Sequence, residues 1–232
     1  VIHPTDVTEE SLAWFRQEIK LARKLTHPNI IRLHDIGEVA GMKFITMELL
    51  EGKDLEGHIE EAGENFDVAR GIHFVKQAVS GLGAAHELGV IHRDIKPPNL
   101  FVTGDDVVKI LDFGIAKLMD VKGLSRTGLA YGTPLYMSPE QIRGSKDLDL
   151  RTDLYSVGVV MFQVFTGQLP FEGEETFELM LAHINQEPPY PRDLRPDLPE
   201  DLEEVILKLL AKDPDDRFAT CADLSAALDA LG

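Results

Sequence analysis

The sequence predicts an α+β chain, with a short strand-bearing N-terminal part followed by a larger, mainly helical part. Three observations carry this. The clearest strand pattern is a pair of β-branched and apolar runs, Ile30 to Val39 and Met42 to Leu50, around the turn dipeptide Ala40-Gly41. Before it, Leu12, Phe15, Ile19, Ala22 and Leu25 recur at the helical period. After it, helical patterns dominate: Val68 to Leu88, and Thr152 to Phe165, which is apolar nearly all round and therefore a buried helix.

In chain order, Asp6 or Thr8 can cap the first helix, which ends before the turn His27-Pro28-Asn29-Ile30. Leu100-Phe101-Val102 and Val107 to Leu111 read as short partner strands. From Ile115 to Leu135 the composition turns to Gly, Ser, Thr and Lys, which suits a mobile loop. Gly167 and Pro170 stop the apolar helix.

At 232 residues the chain is long enough for a sizeable core. With 23 basic and 40 acidic residues it carries a formal charge of −17, which excludes a basic nucleic-acid footprint. The one cysteine, Cys221, excludes an intrachain disulfide or a cysteine zinc cluster, fits a reduced, cytoplasmic setting, and is expected to be a small buried hydrophobe in a terminal helix. No apolar run approaches the ~18 residues of a membrane span, and no signal-peptide pattern opens the chain. Because it begins at Val1, the sequence is expected to be a fragment whose parent has room for a membrane tether.

The chemistry sits in Ile91-His92-Arg93-Asp94-Ile95-Lys96-Pro97-Pro98-Asn99-Leu100. Six fixed identities at this spacing (His92, Arg93, Asp94, Lys96, Pro97, Asn99) arise by chance on the order of 10⁻⁸ per position, so this is a specific signal. Asp112-Phe113-Gly114 and Ser138-Pro139-Glu140 follow. Together they resemble the catalytic core of a serine/threonine protein kinase of the bacterial eukaryote-like group. The resemblance implies a protein-kinase-like two-lobe fold. Residues 1–50 would be a partial N-terminal lobe (helix C, strands 4 and 5), and 51–232 a complete helical lobe.

The resemblance also implies roles. Asp94 would accept or orient the substrate hydroxyl proton, and Lys96 would place a cation near the γ-phosphate of ATP. Asn99 and Asp112 would be oxygen ligands for Mg²⁺, with Mn²⁺ as an alternative. Thr133 would hydrogen-bond Asp94 and Lys96. Glu18, nine residues before His27, falls where the family places the glutamate that pairs with a strand-3 lysine. For the nucleotide, Met47 would be the gatekeeper, Glu48 to Leu50 the adenine-binding hinge, Phe101 the floor beneath adenine, and Asp54 either a ribose ligand or a helix start. Arg93 would receive a phosphate placed on Ser125 or Thr127. His92 and Phe113 would be structural, Asp153 would tie down the catalytic-loop backbone, and Glu140 and Arg217 would form a buried pair; His86, a lone histidine in a helix, is expected to be structural on that ground alone. The implied reaction moves the γ-phosphate of ATP to Ser/Thr hydroxyls of proteins, with a homodimer for trans-autophosphorylation. Pro98 replaces a glutamate that reads substrate arginine in basophilic relatives, so no basic recognition motif is expected.

The pattern also has gaps. No lysine precedes Lys20, which shares the helix of Glu18, and no Gly-x-Gly-x-x-Gly occurs. The phosphate clamp would lie upstream of Val1. Two rival readings follow: a pseudokinase scaffold, and a small-molecule phosphotransferase of the antibiotic-kinase type. Lys96-Pro97, Phe113-Gly114 and Ser138-Pro139-Glu140 argue against the second. Residues 1–232 alone are expected to show very low kinase activity and poor solution behaviour, from an unpaired strand edge and an uncovered helix face. Size-exclusion chromatography and a phosphate-transfer assay check both, and a monodisperse, fully active preparation would overturn them.

Overall fold

A computed structural model describes residues 25–39, 42–113 and 134–231. The predicted first helix with Glu18 and Lys20, the Ala40-Gly41 turn, and Ser125, Thr127 and Thr133 lie outside the described residues.

Strands β1 (Leu33–Val39) and β2 (Met42–Met47) form the expected antiparallel hairpin, with Leu33 opposite Met47. Both are shorter than predicted, and the reason is visible at Ile30. Ile30 bridges Ile110 in parallel, Ile31 N donates to Ile110 O at 3.0 Å, and Ile110 N donates to Asn29 O at 2.9 Å. The start of the predicted strand is therefore taken up by a different partner. Asn29 fastens the turn further, its Nδ2 donating to Gln77 Oε1 (2.9 Å) and Val108 O (3.0 Å).

A three-stranded sheet follows, ordered β3 (Gly52–Asp54), β4 (Leu100–Thr103), β5 (Val108–Ile110), antiparallel throughout. Its first strand is not apparent from the sequence pattern. Asp54 ends it and caps helix α1 (Leu55–Ala62), its Oδ1 accepting from Gly57 N at 2.9 Å. Of the two expectations for Asp54, the helix start is the one observed. Helix α2 (Val68–Glu87) begins in the same way at Asp67 and buries a nearly continuous apolar stripe.

Helices α3 (Pro139–Ile142), α4 (Arg151–Thr166), α5 (Thr176–Asn185), α6 (Pro191–Leu194), α7 (Glu200–Leu209) and α8 (Cys221–Asp229) complete the chain. The predicted all-round apolar helix is α4, buried over nearly its whole length between α2 and α7. Gly158 permits the close approach to α7, because a Cβ there would lie 2.6 Å from Leu209 Cβ. Gly167 ends the helix at φ 73°, a left-handed conformation that glycine adopts without steric penalty.

The expected Glu140–Arg217 pair is present and bidentate, with Nη1 to Oε1 at 2.7 Å and Nη2 to Oε2 at 2.9 Å. The Arg217 side chain is fully buried. Its Nε donates to Ala211 O, Nη1 also to Arg151 O, and Nη2 also to Lys212 O. All five guanidinium N–H groups thus have acceptors, which is what a buried arginine requires. Glu140 also accepts from Thr152 Oγ1 at 2.8 Å. Ser138, which stands where relatives usually carry Ala, starts α3 with a capping box to Gln141 and lies 2.8 Å from Thr152 Oγ1.

Arg217→Ala would leave the Glu140 carboxylate buried without its counter-charge, an expected loss of about 3–5 kcal/mol by urea denaturation. Ser138→Ala should cost about 1 kcal/mol through the cap. Burial pushes the Glu140 carboxyl up, but the Arg217 guanidinium, a backbone amide and the Thr152 hydroxyl outweigh it and hold the group below its ordinary 4.5. The folded value lies below the unfolded one. Its contribution is therefore fully present above about pH 4.5 and is lost as pH falls through the folded value. Glu140→Gln should be less stable at neutral pH and lose less on acidification, as urea midpoints across that range would show.

Candidate active site

The candidate site begins with one carboxylate. Asp153, in the first turn of α4, has a fully buried side chain. Its Oδ2 accepts from His92 N (2.8 Å) and lies 2.8 Å from His86 Nε2, and its Oδ1 accepts from Arg93 N (2.7 Å). A buried anion is tolerated when hydrogen bonds replace its water, and two backbone N–H groups and the His86 ring nitrogen surround it here. In return the loop is held in a conformation it would not choose. Arg93 sits at φ 68°, a left-handed geometry that costs a non-glycine residue about 1–2 kcal/mol. Gln141 Nε2 adds a further tie to Arg93 O at 2.9 Å.

His92, 1 % exposed, joins this loop to the next one. Its Nδ1 accepts from Asp94 N (3.2 Å) and its Nε2 donates to Leu111 O (2.7 Å), a pattern that needs the Nε2–H tautomer. Phe113 packs against the same ring edge-on, with centroids 4.7 Å apart. Asp112 lies between these two contacts at φ 58°, so the left-handed residue is Arg93 beside Asp94 in one loop and Asp112 itself in the other.

On this frame Asp94, Lys96 and Asn99 converge. Lys96 Nζ and Asn99 Nδ2 reach Asp94 Oδ2 at 2.8 and 3.0 Å, and Asn99 Nδ2 also donates to Asp94 O at 2.8 Å. The Asn99 amide nitrogen is thus committed, and its Oδ1 has no hydrogen-bond partner among the described residues. That oxygen, with the exposed carboxylate of Asp112, is a hard-oxygen donor set of the kind a divalent cation takes. The residues present fit such an ion.

The predicted nucleotide residues are placed as follows. Met47 ends β2 and is 41 % exposed, and Leu50 is half-buried. Phe101 lies on β4 between Asp54 and Lys109 of the flanking strands. Glu48 N donates to Arg32 O at 3.0 Å, while its carboxylate accepts from Arg32 N (2.8 Å) and Lys109 Nζ (2.9 Å). The hinge expectation used only the backbone of Glu48, yet its side chain is a strut between the hairpin and β5. Burial pushes that carboxyl up, but the Lys109 ammonium and the Arg32 amide hold it below its ordinary value. His86, Gln141 and Lys109 were not assigned to the site by sequence reasoning. Of these only Gln141 had a readable signal, the Ser-x-x-Gln capping box.

The comparisons agree with this geometry. The family model described as "Protein kinase domain" matches residues 2–227. The serine/threonine-protein kinase pkn3 of Myxococcus xanthus is 43% identical over 234 residues, covering 96% of this chain and 42% of that protein. The tyrosine-protein kinase MasK of the same species is 40% identical over 228 residues, covering 93% of this chain and 35% of that protein. The crystal structure of the M. tuberculosis PknI kinase domain superposes with a TM-score of 0.76 at 29% identity, covering 99% of this chain and 82% of that one. The chain spans less than half the length of these two curated relatives. From the motif, the fold and these likenesses together, the chain belongs to the protein kinase domain family.

Proposed function

We propose that this chain carries the phosphoryl-transfer site of a serine/threonine protein kinase, using ATP and Mg²⁺. The observation that supports it most directly is the Asp94 carboxylate, held between Lys96 and Asn99 on a loop anchored by the buried Asp153. Phosphoryl transfer passes through a loose transition state, so the protein's work is positioning and charge neutralisation. Asp94 Oδ takes or orients the proton of the substrate hydroxyl. Lys96, 36 % exposed at its side chain and paired with Asp94, would neutralise charge on the transferred group. Asn99 Oδ1 and the Asp112 carboxylate would hold the divalent cation, which when bound offsets negative charge on the phosphate oxygens.

Control fits the same frame. Among the described residues Arg93 Nε is buried without an acceptor. A phosphate on Ser125 or Thr127 would supply one and order the loop that carries it. Helix C with Glu18, the gatekeeper and hinge at Met47 to Leu50, and Thr133 belong to the same proposal, as does a second copy acting in trans. No helix of the described residues is long and apolar enough to cross a membrane.

A second reading is that tyrosine is the acceptor, suggested by the name of the MasK relative. Lys96, which resembles the serine/threonine pattern, favours the first.

The full-length gene product, with ATP and Mg²⁺, should phosphorylate itself and a generic protein but not an aminoglycoside. Phosphoamino-acid analysis should return phosphoserine or phosphothreonine; phosphotyrosine alone would overturn the assignment. Chelation should abolish the activity, and Asp94→Asn should lower it by roughly 10²–10⁴-fold. Alanine at both Ser125 and Thr127 should reduce activity severalfold, and unchanged activity would sink the control mechanism.

A further inference from the structure

The Asp153 carboxylate is the middle of a longer line of hydrogen bonds, whose outer half has no part in the chemistry above. His86, in the last turn of α2, lies 2.8 Å from Asp153 Oδ2 through Nε2. Its other ring nitrogen, Nδ1, is 3.3 Å from Cys221 Sγ, at the first position of α8. The His86 side chain is 5 % exposed, that of Asp153 0 %, and Cys221 6 %. Three helices, contributing residues 67 and 135 positions apart from His86, therefore meet in one polar thread through an apolar core.

With a neutral His86 ring, the proton inventory along that thread closes in one way. The ionised Asp153 already accepts two backbone N–H groups, so against the imidazole it needs a third donor, Nε2–H. A singly protonated ring with its hydrogen on Nε2 presents a lone pair on Nδ1, which in a buried place needs a donor. Among the described residues the thiol is the one group recorded within reach of Nδ1. Burial and the Asp153 charge push the Cys221 thiol up to about 12, so it keeps its hydrogen at neutral pH.

We propose that Cys221 is a positioning residue for the catalytic loop. Its S–H holds His86 in the Nε2–H tautomer, and His86 in turn fixes the rotation of the Asp153 carboxylate that carries the His92 and Arg93 amides. A residue of similar size without a donor leaves Nδ1 unsatisfied. The opposite tautomer would then turn a lone pair toward the carboxylate, which relieves the repulsion by rotating away from the loop. The alternative is that Cys221 merely fills space between α2 and α8. The proposal depends on the phosphoryl-transfer reading only for its activity arm.

The test has two parts. In the full-length protein, long-range ¹⁵N–¹H correlation of the His86 ring reads the tautomer directly, and amide hydrogen exchange reads His92 and Arg93. The wild type should show His86 protonated on Nε2 alone. Cys221→Ala should shift the ring nitrogens away from that pattern and speed exchange of both amides on the order of tenfold, the size of one neutral hydrogen bond. Cys221→Ser, which keeps an O–H donor, should restore both. In the full-length protein the alanine variant should lose kcat with little change in the KM for ATP, and serine should recover it. A wild-type ring protonated on Nδ1, or an alanine variant with unchanged ring shifts and unchanged exchange, would overturn the proposal whether or not the variant is stable and whether or not the protein is a kinase.

Discussion

A carboxylate with no access to water stands at the start of α4, and the geometry of the catalytic loop depends on it. Asp153 needs the backbone N–H groups of His92 and Arg93 because an unpaired buried charge is too costly to keep. The loop needs Asp153 because nothing else among the described residues accepts those two amides. The dependence is mutual, which makes the arrangement discrete rather than adaptable. It also explains how Arg93 stays in a left-handed conformation with a full side chain.

The same helix serves the neighbouring segments. In an otherwise apolar cylinder, Thr152 binds Glu140 and Ser138, Asp153 the catalytic loop, and Ser156 Oγ the carbonyl of Tyr136 at 2.8 Å. Tyr155 lies under the Arg217 guanidinium at 4.8 Å. One helical turn therefore anchors several separate stretches of chain. The hydrophobic burial of α4 fixes its position, and its few polar side chains pass that position on to the loops. The strongly acidic surface has no part in this, since the anchoring groups are nearly all shielded from solvent.

What was legible in the sequence is what chemistry restricts to one or two residue types. Asp94, Lys96, Asn99 and Asp112 are readable because the proposed phosphoryl transfer and hard-ion ligation would admit few substitutes, and Asp153, Glu140 and Arg217 because the family motif carries them. The supports around them were not readable. His86, Lys109 and Cys221 each have an ordinary local setting, and Gln141 shows only its local capping box; the folded chain alone brings them to their partners across tens of residues. Strand ends failed for a similar reason. Ile30 has the composition of a hairpin strand but pairs with Ile110, because tertiary competition outweighs local propensity.

The long reach of these anchors has a consequence for how the protein is made. His92 is joined to a residue 61 positions further on, and Glu140 to one 77 positions further on. A ribosome working from the N-terminus releases the loop bearing Asp94 well before it has made Asp153, and Asp153 well before Arg217. Contacts of such sequence separation form only after the intervening chain is available and its closure entropy has been overcome. The nascent chain thus carries every reactive side chain for much of its synthesis without the frame that aims them. The anchoring contacts can close only after Asp153, and then Arg217, have been made.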